Sequence, residues 1–179
     1  MEATREPRPF LYLKAKSLPI VDADLDAASV AQLQASMQDE ISQIVRSVVD
    51  FTIARDNEKT RRTQPIPMSV LNRRRRAARS WLLAIAEGRI DAVTLHTVST
   101  QWLPLLCGTG PDLALLADPA VDLIEFVRGA ATACIFDEVA ANLLPHARAL
   151  HVLETTLSAH LAAAQQMARR SEPATVSHG

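Results

Sequence analysis

The sequence predicts an all-α protein, a bundle of five or six helices that begins with a long helix carrying a heptad pattern. Three observations lead to this prediction. Only five of the 179 residues are glycine, which is too few for a loop-rich β protein. Hydrophobic residues make up 48% of the chain and aromatic residues only 4%, so the core must consist mainly of Ala, Leu, Val and Ile. Most of the ten prolines lie between apolar runs, where they would separate helices.

The length of the chain fits one domain with a tail at each end. We expect the domain over residues 24–170, an irregular N-terminal arm over 1–23 and a disordered tail over 171–179. The N-terminus is polar and lacks the apolar stretch of a secretory signal. No stretch of the sequence approaches the length of uninterrupted apolar residues that a membrane-spanning helix needs. We therefore expect a cytoplasmic protein that does not bind a membrane.

The first predicted helix begins at Asp24 or Asp26, either of which offers an N-cap. At about 28 residues it would be about 42 Å long, which is long for a domain of this size. Its apolar residues recur at alternating steps of three and four, which is the heptad spacing. This seam suits either antiparallel packing inside the domain or a symmetric homodimer. Our candidates for self-association are Met37, Ile41, Ile44, Val48 and Phe51.

The later helices are delimited by residues that start or stop a helix. These residues are Pro65-Ile66-Pro67, Ser69, Gly88, Asp91, Gly108-Thr-Gly-Pro-Asp112, Asp118-Pro119 and Pro145. In the helix that follows Asp91, Pro104 requires a kink or an early stop, because proline cannot donate a backbone hydrogen bond. In the last helix, His146 and His160 lie at seam positions where leucine is expected. Each is either an ordinary boundary residue or a group whose protonation would weaken the packing.

Basic residues are concentrated in one stretch of the chain. Nine of the 19 Lys and Arg residues fall between Arg55 and Arg79, where only two acids oppose them, in a protein of net charge −1. Arg73–Arg76 are consecutive, so on a helix they cannot all face one way. Arg74 would lie closest to the apolar stripe and must either pair with an acid or extend its charge to water. The candidates for binding a partner are Arg61, Arg62, Arg73, Arg75, Arg76 and Arg79.

Other patterns in the sequence point to little chemistry. The five histidines include no pair at the i, i+4 spacing, and Cys107 and Cys134 form no Cys-x-x-Cys motif, so we expect no metal site. The glycines near residue 110 lack the Lys-Ser/Thr of a phosphate-binding loop. We find no catalytic motif, which favours a non-enzymatic protein and leaves open an enzyme without a recognisable motif, and we expect no cofactor. A ligand pocket is predicted among Trp81, His96 and Trp102, in which the histidine would be the residue placed to ligate a haem iron.

The sequence leaves three functional hypotheses. The first is a non-enzymatic regulatory or adaptor module that contacts an acidic protein face through its arginine-rich surface. The second is a globin-like sensor of a small ligand or haem. The third is a nucleic-acid-binding regulator, against which the net charge near zero and the lack of aromatic residues among the arginines both argue. The basic stretch can also be satisfied internally, since residues 80–168 hold nine acids against three bases. The 16 arginines against three lysines suggest a GC-rich bacterial genome.

Overall fold

A computed structural model describes residues 25–61, 65–137 and 143–174 of the chain. These residues form helices and no strand, which confirms the all-helical class for this part of the chain. The arm predicted over 1–23 and the last residues of the predicted tail, 175–179, lie outside the described residues. The α-helices are α1 (Ala27–Met37), α2 (Ile41–Thr60), α3 (Met68–Ala86), α4 (Ala92–Thr97), α5 (Leu103–Cys107), α6 (Ala117–Ile135) and α7 (Leu144–Ser171).

The long N-terminal helix predicted from the heptad pattern is not confirmed, because the structure has α1 and α2 in its place. Asp26 caps α1 as predicted, since its carboxylate accepts hydrogen bonds from the amide and the hydroxyl of Ser29, at 2.8 and 2.7 Å. A turn over residues 38–40 then separates the two helices. The residues of the heptad pattern stay on the buried side across this turn, since Met37 before it and Ile41 after it both lie in the core.

The heptad seam packs within the chain itself. Four of its five residues, Met37, Ile41, Ile44 and Val48, are buried in the core of this single chain. Phe51 is partly exposed and stacks on Phe126 of α6. Of the two arrangements considered for the seam, packing inside the domain is therefore the one that the structure has. Self-association through these residues stays a prediction.

The longest helix, α7, lies between α1 and α6, while α2 packs against α3 and α6. The end of α3 is fixed by Gly88, which adopts the left-handed conformation at φ 62°. The amide of Gly88 donates to the carbonyl of Ile85, and the amide of Arg89 donates to the carbonyl of Ala84. These two bonds form the Schellman motif that ends many helices, so the predicted stop at Gly88 is confirmed. No helix in the described ranges has the length and apolar character needed to cross a membrane.

A π-helical segment, Val98–Trp102, joins α4 to α5 in one continuous rod. The amide of Leu103 donates to the carbonyl of Val98, five residues back, which widens the helix just before Pro104. The rod ends at Cys107, where Gly108 adopts the left-handed conformation at φ 68°. The disturbance predicted at Pro104 therefore takes the form of a π turn followed by an early stop.

Candidate functional site

The four consecutive arginines of α3 do not share one environment. Arg74 is buried, whereas Arg73, Arg75 and Arg76 are exposed. The guanidinium of Arg74 lies 2.5 Å from Oδ2 of Asp56 on α2, and its other terminal nitrogen donates to the hydroxyl of Thr52 over 3.1 Å. The prediction that Arg74 pairs with an acid is therefore confirmed. This arginine holds α3 against α2 and is not available to a partner.

Gly108 closes the same cluster from the end of α5. A Cβ atom at this position would lie 3.2 Å from Oδ1 of Asp56 and 3.9 Å from the guanidinium of Arg74. The left-handed backbone favours glycine here, and a Cβ atom would force the Asp56 carboxylate to shift. The ion pair links α2 to α3, and Gly108, at the end of α5, lies next to it.

The exposed arginines are not paired with the acids of the chain's own described residues. Arg73, Arg76 and Arg79 form no ion pair there, and the only bond of the Arg75 guanidinium goes to the side-chain oxygen of Asn72, at 3.4 Å. The acids that do form ion pairs bind other arginines, which are Arg55, Arg74, Arg89 and Arg128. Of the remaining candidates, Arg61 is exposed at the end of α2 and Arg62 lies outside the described residues.

A groove of about 500 Å³ runs between α3 and the rod that contains the π segment. One wall carries Arg73, Arg76 and Ser80, and the opposite wall carries the half-buried Trp102 and Leu105. The structure thus places an indole beside two arginines that lack an acidic partner among the described residues. Local spacing gives no signal of this arrangement, because the two walls belong to different helices and meet only through packing.

The three residues of the predicted ligand pocket lie in different parts of the structure. Trp81 is fully buried, and its indole N–H donates to Nδ1 of His160 over 3.1 Å. Trp102 lines the groove beside α3, and His96 is exposed at the end of α4. This groove does not include Trp81 or His96. The small-ligand or haem site therefore stays a prediction.

Several described residues have a shifted pKa, and His160 is the most deeply buried of them. Nδ1 accepts from Trp81, so the hydrogen sits on Nε2, which donates to the carbonyl oxygen of Arg89 over 2.9 Å. Burial lowers the pKa of His160 to about 4, against smaller opposing effects of the Arg89 carbonyl and of Asp91. The imidazole is therefore neutral at pH 7. Its role is structural, since it joins the end of α3 to α7.

A second groove, of about 700 Å³, lies between α2 and α6. Phe51 and Phe126 stack there with their ring centroids 4.5 Å apart. Arg55 crosses the groove to Asp122, with 3.0 Å between the charged groups, and also donates to the carbonyl of Pro119. The rim carries charges of both signs, so it does not select one charge of ligand. Its arginine is already engaged, in contrast to those of the groove beside α3.

The two cysteines offer no reactive thiolate. Burial raises the pKa of the Cys107 thiol to about 12, and burial also raises the pKa of Cys134. Both thiols are therefore protonated at neutral pH, and a thiol is a far weaker nucleophile than a thiolate. Within residues 25–61, 65–137 and 143–174, no three His, Cys, Asp or Glu residues are grouped so that they could hold a metal ion.

Comparison of the chain with protein-family models, with curated protein sequences and with solved structures finds no match.

Proposed function

We propose that this protein is an α-helical regulatory or adaptor module that binds an acidic face of another protein through the exposed arginines of α3. The observation that supports this proposal most strongly is the state of Arg73, Arg76 and Arg79. All three are exposed and lack an acidic partner among the described residues. A guanidinium binds a carboxylate through two parallel hydrogen bonds, and arginine is enriched among the residues that contribute most to protein interfaces.

The anchoring of Arg74 supports the same proposal. Its guanidinium is bonded to Asp56 and Thr52 and so ties α3 to α2. A surface held in its binding orientation loses less conformational entropy when a partner arrives. The four consecutive arginines therefore have two roles, one that positions the helix and one that contacts the partner.

The size of the arginine surface favours a protein partner over nucleic acid. From Arg73 to Arg79 the helix advances about 9 Å, which covers few phosphates of a nucleic-acid strand. The rest of the surface carries an excess of acids, since residues 80–168 hold nine acidic and three basic residues. This excess would repel a long polyanion beyond the edge of α3. A short acidic face on another protein meets no such repulsion.

The proposal is tested by comparing partners captured from the native cell. We expect the variant R73E/R76E/R79E to lose a partner that the wild-type protein captures, and we expect binding to return when acids on that partner are changed to arginine. The matched control is R46E/R169E/R170E, which changes the charge equally at exposed arginines on α2 and α7. Retention of every partner by the α3 variant, or equal loss in the control, would overturn the proposal. Light scattering of the same proteins shows whether the partner is a second copy of the chain.

A further inference from the structure

The groove beside α3 has a basic wall and an apolar wall. Arg73 and Arg76 are one turn apart on α3, with Ala77 and Ser80 on the same face. Across the groove, Trp102 and Leu105 are half-buried, so each is held by the core and still exposes part of its apolar surface. An indole held in this way loses little freedom when it is covered, which is a feature of residues that anchor protein partners.

The π segment ends at Trp102, which lines the groove. The amide of Leu103 donates to the carbonyl of Val98, five residues back, and both of these residues are fully buried. Trp102, which lies between them in the sequence, is half-buried and exposes part of its indole to the groove. Pro104 follows Leu103 and has no amide hydrogen to offer the preceding turn. π turns of this kind occur frequently at functional sites.

The groove also has open space at its edge, and it is lined by polar side chains that form no hydrogen bond with the described residues. Around Gly110, at its edge, a Cβ atom would meet nothing within 4 Å. The side chains of Ser80 and Gln101 line the groove and form no hydrogen bond with the described residues. They are available to the backbone of a bound segment. An extended peptide uses such groups along its length, whereas a surface that binds by charge alone does not need them.

We propose that this groove binds an acidic protein segment that carries an aromatic or aliphatic side chain. The acidic side chains pair with Arg73 and Arg76, and the apolar side chain packs against Trp102. This inference rests on the proposed function, because it specifies which part of an acidic partner is recognised. It adds a requirement that the proposed function does not contain, since a purely electrostatic contact would be indifferent to the apolar residue and to Trp102.

The test uses synthetic peptides in place of the unidentified partner. A short polyglutamate peptide with a central phenylalanine and a fluorescent label is titrated with the full-length protein, and binding is followed by anisotropy. We expect affinity to fall about tenfold when the phenylalanine is replaced by serine, and about tenfold in the variant W102L, because each change removes one large apolar contact. The same peptide with glutamine in place of glutamate should bind more weakly still.

The controls separate the groove from charge changes elsewhere on the protein. The variant R73E/R76E should abolish peptide binding, whereas R46E/R170E, with the same change of charge at exposed arginines on α2 and α7, should stay within about threefold of wild type. The milder variant R73Q/R76Q keeps the test usable if the first double variant fails to fold, which circular dichroism detects. An unlabelled oligothymidylate serves as a competitor, and we expect it to compete more weakly than the unlabelled peptide.

Several results would overturn the proposed binding of an acidic segment in this groove and would leave the proposed function standing. They include equal loss of binding in the two double glutamate variants, unchanged binding of the serine peptide, and unchanged binding to W102L. Failure of the wild-type protein to bind the phenylalanine peptide, while it still captures a native partner through its arginines, would do the same. If the oligothymidylate binds more tightly than the phenylalanine peptide, both the groove proposal and the proposed function are wrong, since the preferred partner would then be nucleic acid.

Discussion

The indole N–H of Trp81 donates a hydrogen bond to Nδ1 of His160, and the two atoms are 3.1 Å apart in the core. This bond determines which nitrogen of the imidazole carries the hydrogen. Nε2 carries it and donates to the carbonyl of Arg89, in the turn that ends α3. Protonation of Nδ1 would bring two N–H groups into opposition in a site without water access. The pair therefore joins α3 to α7 only while the histidine is neutral.

We predict that the protein loses stability as the pH falls from about 6.5 to about 4 because of His160. Since burial lowers the folded-state pKa, the unfolded chain takes up the proton first, and acid favours unfolding. The full stability contribution is present above the unfolded-state pKa and is lost as the pH falls through the folded-state value. The difference between the two pKa values corresponds to about 3 kcal/mol. Denaturant unfolding at a series of pH values measures it.

The variant His160→Gln provides the comparison for this pH dependence. It removes the titrating group, so the free energy of unfolding should depend less on pH than in the wild-type protein, whatever its value at pH 7. His96→Gln, at an exposed position, is the matched control and should follow the wild-type curve. If the His160 variant and the wild-type protein show the same slope over this range, the proposed protonation coupling is wrong.

We predict that Asp56→Ala is far more destabilising than Asp122→Ala. The first change leaves the buried guanidinium of Arg74 without its acid, at a cost of about 3 kcal/mol. The second removes the partner of Arg55 from a pair whose carboxylate is 60% exposed, and should cost less than about 1 kcal/mol. Urea unfolding measures both. Adding Arg74→Met to the Asp56 variant should recover part of the loss, and equal costs for the two single variants would contradict this prediction.

We predict opposite effects for two glycine-to-alanine changes. Gly108→Ala places a side chain in the left-handed region and 3.2 Å from the carboxylate of Asp56, which should cost about 1–2 kcal/mol. Gly129 is an exposed residue inside α6, and a Cβ atom there meets nothing, so Gly129→Ala should stabilise the protein by about 0.5–1 kcal/mol. Thermal unfolding distinguishes the two directions. A stabilising change at Gly108 would show that the turn tolerates a side chain.

The parts of the fold that the sequence predicts correctly depend on local chemistry. Asp26 and Asp91 cap helices because a carboxylate reaches the amide three residues ahead, and in the second case this bond is 2.9 Å long. Gly88 ends α3 because its backbone accepts the left-handed conformation. The pairing of Arg74 follows from helix periodicity, since a charge on the apolar stripe needs a partner. Each inference needs only the sequence within a few turns of the residue.

The parts that the sequence does not predict depend on packing between distant segments. The turn at residues 38–40 contains neither proline nor glycine, so nothing in its composition distinguishes it from a helix. Trp102 lines the same groove as Arg73 and Arg76 because the π segment and α3, which are distant in the sequence, pack side by side. Trp81 reaches His160 across the core from another helix. Heptad spacing likewise cannot distinguish a seam that packs within the chain from one that pairs two chains.

The division of the four arginines into one anchoring residue and three exposed ones is tested most directly by the unfolding free energies of their single alanine variants. We predict a loss of about 2 kcal/mol or more for Arg74→Ala, which removes a buried stem and two hydrogen bonds. Alanine at Arg73, Arg75 or Arg76 should change stability by less than about 0.5 kcal/mol. Equal losses at all four positions, or a larger loss at an exposed arginine than at Arg74, would contradict the division of roles proposed for this helix.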